Sequence, residues 1–133
     1  MTKGRKECGT IRWHNFLRMM NWNELKEAKQ LKDLAIESHK QPILIFKHST
    51  SCSISSAALR RLERNWNENE MKDVKLYFLD LLSYRAISKN IEDQFLVEHE
   101  SPQILLIRNG QSVYHRSHFD IDYKNVRSEI EKK

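Results

Sequence analysis

Apolar residues along the chain switch between a helical and an extended period, and the switches mark its elements. Trp22, Leu25, Ala28, Leu31 and Ala35 recur at three- and four-residue spacing, the signature of one buried helical face. Asn21 followed by Glu24 resembles a capping box. A first helix is therefore predicted from Asn21, closed before Pro42. Ile43-Leu44-Ile45-Phe46 is an unbroken apolar run, as expected of a strand covered on both faces. A second helix is predicted from Ser53, with Ile54, Ala58, Leu62 and Trp66 inside and Arg60, Arg61, Glu63 and Arg64 outside. After the polar stretch 67–72, Val74 to Leu81 reads as a second central strand. Ser83 is a candidate cap for a third helix whose face holds Ile87, Ile91 and Phe95.

The pattern then changes. Pro102 precedes the strand Gln103 to Ile107, and Asn109-Gly110 is the strongest hairpin signal in the chain. Ser112 to His115 is the return strand, and a last helix carries Phe119, Tyr123, Val126 and Ile130 on one face. The predicted order is α-β-α-β-α-β-β-α. It describes an α/β sandwich of three layers, a small mixed sheet flanked by helices.

With 133 residues, 39% of them hydrophobic, the chain is long enough for one domain with its own core. The net charge of +5 is unevenly placed. Lys3, Arg5, Lys6, Arg12 and Arg18 face only Glu7 in residues 1–19, which leaves 20–133 close to neutral. Residues 1–19 read as a basic leader or tail, poorly ordered, ahead of a domain at 20–133. A near-neutral domain argues against nucleic acid as a partner. No apolar stretch is long enough to span a membrane, and no secretory h-region is visible. Two cysteines, Cys8 and Cys52, supply neither a disulfide framework nor a four-ligand zinc site. Such sparse cysteine usage fits a reducing cytosol, so a cytoplasmic location is expected. His48, His99, His115 and His118 follow no metal-ligand spacing and no Gly-rich phosphate loop exists. No tightly bound cofactor is expected.

The candidate chemistry centres on Phe46-Lys47-His48-Ser49-Thr50-Ser51-Cys52-Ser53-Ile54-Ser55. It sets a cysteine between a strand pattern and a helix pattern. A helix N-terminus presents unpaired N–H groups and partial positive charge, which favour thiolate over thiol. A free cysteine is often just a small buried hydrophobe, but the hydroxyls of Ser49, Thr50, Ser51, Ser53 and Ser55 make this setting polar. Ser55 stands where a Cys-x-x-Cys motif would carry its second thiol. Its hydroxyl is a candidate donor to the thiolate, or an ordinary first-turn serine. Either way, a mixed disulfide on Cys52 finds no resolving thiol within its own motif. His48 is a candidate imidazolium partner for the thiolate and His99 a candidate approaching from the proline loop; surface or hydrogen-bonding roles compete for both. Lys47, Arg60 and Arg64 read as solvated charges, with binding of a carboxylate-bearing thiol as the alternative.

The element order, with Cys52 at a strand-to-helix junction and Pro102 ahead of the hairpin, matches the thioredoxin-like order. In that fold the proline is cis and faces the nucleophile, and the residue before it, here Ser101, offers its backbone to an extended thiol ligand. The segment from Ile45 to Ser55 further resembles the active-site segment of the monothiol bacilliredoxins, whose pattern is close to Thr-Cys-Pro/Ser-Ile-Ser. Asp80 to Arg85, His99-Glu100-Ser101-Pro102-Gln103, and Asn109-Gly110 followed by Ser117-His118 also look like that family. The resemblance covers about residues 20–131.

It implies a thioredoxin-like protein of the cytosol of a low-GC Gram-positive bacterium. The implied activity is removal of bacillithiol from S-bacillithiolated proteins. Bacillithiol would be the co-substrate, S-bacillithiolated proteins the partners, and another thiol or reductase the recycling agent. By position, Cys52 is the nucleophile, Ser55 replaces the resolving thiol and Ser101-Pro102 is the loop that faces it; from the residues themselves, Ser53, Ser55 and His48 are the candidate supports of the thiolate. Thr50, Ser101 and Pro102 would meet the substrate. Ser51 stands where threonine or arginine is familiar. Phe46 stands where dithiol thioredoxins carry a buried acid. Two rival readings stay open: a thioredoxin-fold adaptor or redox-sensing stress protein without enzyme activity, and an iron–sulfur carrier, disfavoured by Ser53 in place of glycine.

Overall fold

Every residue of Ile43–His48 is buried, because this strand lies in the middle of a five-stranded sheet covered on both sides. The computed structural model describes residues 20–132; the expectations for 1–19, Cys8 included, lie outside the described residues. Its elements are β1 (Asn23–Glu24), α1 (Lys29–Glu37), β2 (Ile43–His48), α2 (Ser53–Asn65), β3 (Lys75–Asp80), α3 (Arg85–Phe95), β4 (Gln103–Arg108), β5 (Gln111–Ser117) and α4 (Tyr123–Glu131), with a 3-10 turn at His118–Asp120. The sheet order is β1-β3-β2-β4-β5. β1 and β2 run parallel to β3, whereas β4 is antiparallel to both β2 and β5.

Alternation along the strands builds two cores. Leu44, Phe46, Leu76, Phe78, Ile104 and Leu106 meet Ala58 and Leu62 of α2 and Tyr123 and Val126 of α4. Ile43, Ile45, Tyr77, Leu79, Leu105 and Ile107 meet Leu31 and Leu34 of α1 and Ile87, Ile91 and Phe95 of α3. The three-layer α/β sandwich expected from the sequence is thus present, with two helices on each face. Asn109 and Gly110 take φ of 54° and 76°, the two left-handed positions that a type I′ turn requires. They join Arg108 to Gln111 in register.

The sequence-based expectations fail at several places, Ala28 among them, since it is exposed at the N-cap of α1 and not on a buried helical face. Asn21 does not cap a helix; Asn23–Glu24 pairs with Tyr77 and Phe78 as an edge strand, and Leu25 N–H donates to Phe78 O at 2.8 Å. Trp22 and Leu25 lie in opposite cores, so their three-residue spacing did not report a helical face. Ser83 donates to Asp80 Oδ2 at 3.0 Å, and the third helix is capped at Tyr84 without a side-chain bond. Ile54, expected inside, is 40% exposed, and Phe119 is 74% exposed on the 3-10 turn ahead of α4. Both residues stand at the end of the sheet where the candidate site lies. Among the described residues, no helix is long and apolar enough to cross a membrane.

Candidate active site

β2 ends at His48, and the chain turns tightly there, Cys52 N–H donating to Ser49 O at 3.1 Å. Cys52 takes the N-cap position of α2 in extended conformation (φ −108°, ψ 120°). Its side chain is partly exposed, and it is a free thiol. The first intrahelical bond runs from Ser56 N–H to Cys52 O at 3.1 Å, so the N–H groups of Ser53, Ile54 and Ser55 have no helical partner. No acidic side chain occupies that first turn. The local sequence therefore leaves the positive end of α2 at the cysteine, with no acidic side chain in its first turn.

The loop before β4 comes to the same end of the sheet, because Lys47 pairs with Gln103 across the antiparallel ladder. The Ser101–Pro102 peptide bond is cis, as the sequence led one to expect, and Pro102 is buried. Pro102 O accepts from His118 N–H at 3.1 Å. The 3-10 turn is thereby tied to the proline loop, and Arg61 holds its far side by donating to Ile121 O at 3.0 Å. Cys52, Thr50, Ser101 and Pro102 are thus gathered at one end of the molecule by β2, β4 and the start of α2. Thr50 and Ser53 are exposed there.

Ser55 and His48 form a buried pair beneath the cysteine. Ser55 Oγ lies 2.6 Å from His48 Nδ1 and accepts from Ser49 N–H at 3.1 Å. Of the two readings of this hydroxyl, candidate donor to the thiolate or ordinary first-turn serine, its bonds are to the end of β2, where it fixes the turn that carries Cys52. His48 is 3% exposed and packs beside Phe46 and Phe78. Burial lowers its pKa to about 4, against the opposing pull of Asp80. It is therefore a neutral imidazole near pH 7, which corrects its reading as an imidazolium partner of the thiolate: an ionised ring would have to be desolvated in an aromatic core.

The family model described as monothiol bacilliredoxin BrxC matches residues 23–126. The chain belongs to the monothiol bacilliredoxin family. A candidate oxidoreductase with a thioredoxin fold is similar over 79% of this chain and 89% of its own, at 28% identity and a TM-score of 0.67. Thioredoxins from Malassezia sympodialis (Mala s 13; 15% identity, TM-score 0.64, covering 82% of this chain and 87% of that one) and Fasciola hepatica (18%, 0.61, 81% and 95%) share the fold. The protein is a thioredoxin-fold member of a thiol-redox family, in agreement with the resemblance read from its motifs.

Two residues of β2, the strand that leads to Cys52, bear on the site. Phe46, in the place of the dithiol proteins' buried acid, is fully buried, with its ring stacked on Phe78 at 6.2 Å and 3°. No carboxylate stands there to accept a proton. Lys47, read from sequence as a solvated charge, is also fully buried. The signal was available: it interrupts a strand run whose neighbours on both sides are core residues. His99 turns toward α3, its Nδ1 3.2 Å from Ser88 Oγ, and burial followed by the Lys47 charge lowers its pKa.

Two consequences can be measured. Ser55→Ala strips the buried His48 Nδ1 and Ser49 N–H of a shared partner and is expected to cost about 1–3 kcal/mol of stability, read from urea midpoints. For His48, the folded pKa lies below the unfolded value of 6.5, so the unfolded chain binds the proton first. Stability is whole above pH 6.5 and falls with acid toward pH 4. The His48 share of the loss between pH 7 and 5 is about 2 kcal/mol, and a His48→Gln variant is expected to show a correspondingly shallower acid slope.

Proposed function

We propose that this protein removes bacillithiol from S-bacillithiolated proteins by one-thiol exchange at Cys52. The reading is carried by one observation: a partly exposed free thiol at a helix N-cap, in a monothiol bacilliredoxin chain, with Ser55 in the resolving position. The Cys52 thiolate attacks the bacillithiol sulfur of the mixed disulfide. The protein–bacillithiol S–S bond breaks as the Cys52–bacillithiol S–S bond forms, and the protein leaves as a thiolate that takes a proton from water. A second thiol, or a partner reductase, then attacks the Cys52 adduct and returns Cys52 as thiolate. The free N–H groups of Ser53, Ile54 and Ser55 stabilise the sulfur as attacker and again as leaving group.

Ser101 and Pro102 receive the disulfide-bearing ligand in extended form, and exposed Thr50 also meets it. Exposed Ile54 and Phe119 provide apolar surface beside the sulfur for a protein substrate. Ser55 and His48 act as a buried brace for the turn. The reaction belongs in a reducing cytoplasm, where a lone thiol is regenerated by the low-molecular-weight thiol pool.

Intact mass spectrometry after exposure to oxidised bacillithiol, with glutathione disulfide as control, tests the proposal. One bacillithiol adduct, mapped to Cys52 and formed in preference to the glutathione adduct, is the expected result. Equal labelling by both disulfides would remove the bacillithiol assignment, and no adduct at Cys52 would remove the exchange itself.

A further inference from the structure

Lys47 is the strangest residue of the sheet. It is a fully buried lysine on a central strand, on the sheet face that packs against α3. Among the described residues, its Nζ has no hydrogen-bond partner. Its ladder partner Gln103 is 1% exposed and leaves Oε1 without a donor. The two residues are direct partners across β2 and β4, so their side chains share one face at neighbouring positions. Among the described residues, a buried donor and a buried acceptor, both unmet, thus belong to directly paired residues. Ser101 Oγ, two residues before Gln103, is a third buried group without a partner among the described residues.

All three belong to the attachment of the proline loop. Gln103 Nε2 donates to Glu98 O at 3.0 Å, and His99 N–H donates to Glu92 Oε2 at 3.0 Å. The loop from Glu98 to Ser101 is thus tied at one side to β4 and at the other to α3. The charges acting on Lys47 come from the same two places, Glu92 on α3 and Glu100 in the loop, with His99 also within electrostatic range. β3 presents apolar Leu79 to it. Taken alone, the fold would be better served by an apolar residue at this position. A charge kept there against that preference points to a role in the site.

We propose that Lys47 is a positioning residue: its buried ammonium, drawn by Glu92 and Glu100 and placed against Gln103, holds the 98–101 loop so that Ser101–Pro102 is set to receive the thiol ligand. The proposal rests on the reading of Ser101–Pro102 as the ligand-receiving edge. It makes loop order depend on the charge of a residue that touches neither the reacting sulfur nor solvent.

The His99 amide, bonded to Glu92 Oε2, reports on the loop without any substrate. Its hydrogen-exchange protection is measured in wild type, Lys47→Met and Lys47→Arg from pH 6.5 to 9.5, with urea midpoints confirming that each variant is folded. Wild type is expected to lose about tenfold in protection as Lys47 discharges around pH 8. Lys47→Met is expected to be low and flat throughout, and Lys47→Arg to stay high because arginine keeps its charge. Protection at His99 that is the same in wild type and Lys47→Met at pH 7 would overturn the proposal. In exchange kinetics, Lys47→Met is expected to raise KM several-fold with kcat nearly unchanged; a fall in kcat alone would equally refute a positioning role. If wild type shows no exchange activity, the functional reading fails while the protection profile still decides the role of Lys47 in the loop.

Discussion

Cys52→Ser abolishes thiol–disulfide exchange, with an expected loss on the order of 10³-fold or more, and leaves the fold intact. A serine hydroxyl is not ionised at neutral pH and forms no disulfide, so no partial function survives. The same substitution is benign for the structure: Cys52 is the N-cap of α2 and its side chain caps nothing, while serine is among the preferred N-cap residues. The urea midpoint of Cys52→Ser is therefore expected to equal or slightly exceed that of wild type. Release of the low-molecular-weight thiol from a modified protein is the rate to follow, with Cys8→Ser as the control that should behave like wild type. Wild-type rates in Cys52→Ser would move the chemistry elsewhere and end the one-thiol mechanism. Loss of activity accompanied by a large fall in midpoint would mean that Cys52 is structural.

Lys47→Met stabilises the protein at neutral pH by up to about 3 kcal/mol. Burial lowers the Lys47 pKa from 10.5 to about 8, with Glu92 and Glu100 opposing the shift. Below pH 8 both folded and unfolded chains carry the charge, and the fold bears the full desolvation cost. Between pH 8 and 10.5 the unfolded chain holds a proton that the folded chain has released, so wild-type stability rises with pH across that window. Relief reaches about 2 kcal/mol by pH 9.5. Lys47→Met has no such proton, so its advantage over wild type should shrink steadily from pH 7 to 9.5. Paired urea titrations at the two pH values isolate this difference, because Tyr77, Lys75 and the other basic-range groups are common to both chains. A Lys47→Met protein less stable than wild type at pH 7 would show that the ammonium is fully compensated, not a burden. More stability together with weaker ligand binding is the combination that marks a residue retained for its site.

Much of this architecture is legible in short-range pattern. The run Ile43 to Phe46, the apolar segment Val74 to Leu81 and the Asn109-Gly110 turn each depend on neighbours a few residues away, and each lies close to where it was expected. Asn23–Glu24 does not, because two residues become a strand only when Phe78 offers its carbonyl to Leu25 N–H. Helical spacing across Trp22 and Leu25 was a coincidence of two residues diving into opposite cores. The candidate site divides in the same way. Cys52 and its missing thiol partner at Ser55 are local facts of one segment, and the motifs around them sufficed to recognise the family. The states of His48 and Lys47 are not local facts.

What the sequence by itself determined is the candidate nucleophile Cys52, its place at a strand-to-helix junction and the lack of a second thiol within its own motif. Only the tertiary structure decided that His48 is a neutral brace bonded to Ser55 and that Lys47 is an interior charge beside the proline loop. The physical reason is that ionisation and hydrogen-bond partnership are set by burial and by groups distant along the chain. His48 is discharged by an aromatic core built from Phe46 and Phe78, and Lys47 is enclosed by β4 and α3, whose residues lie 38 or more positions away.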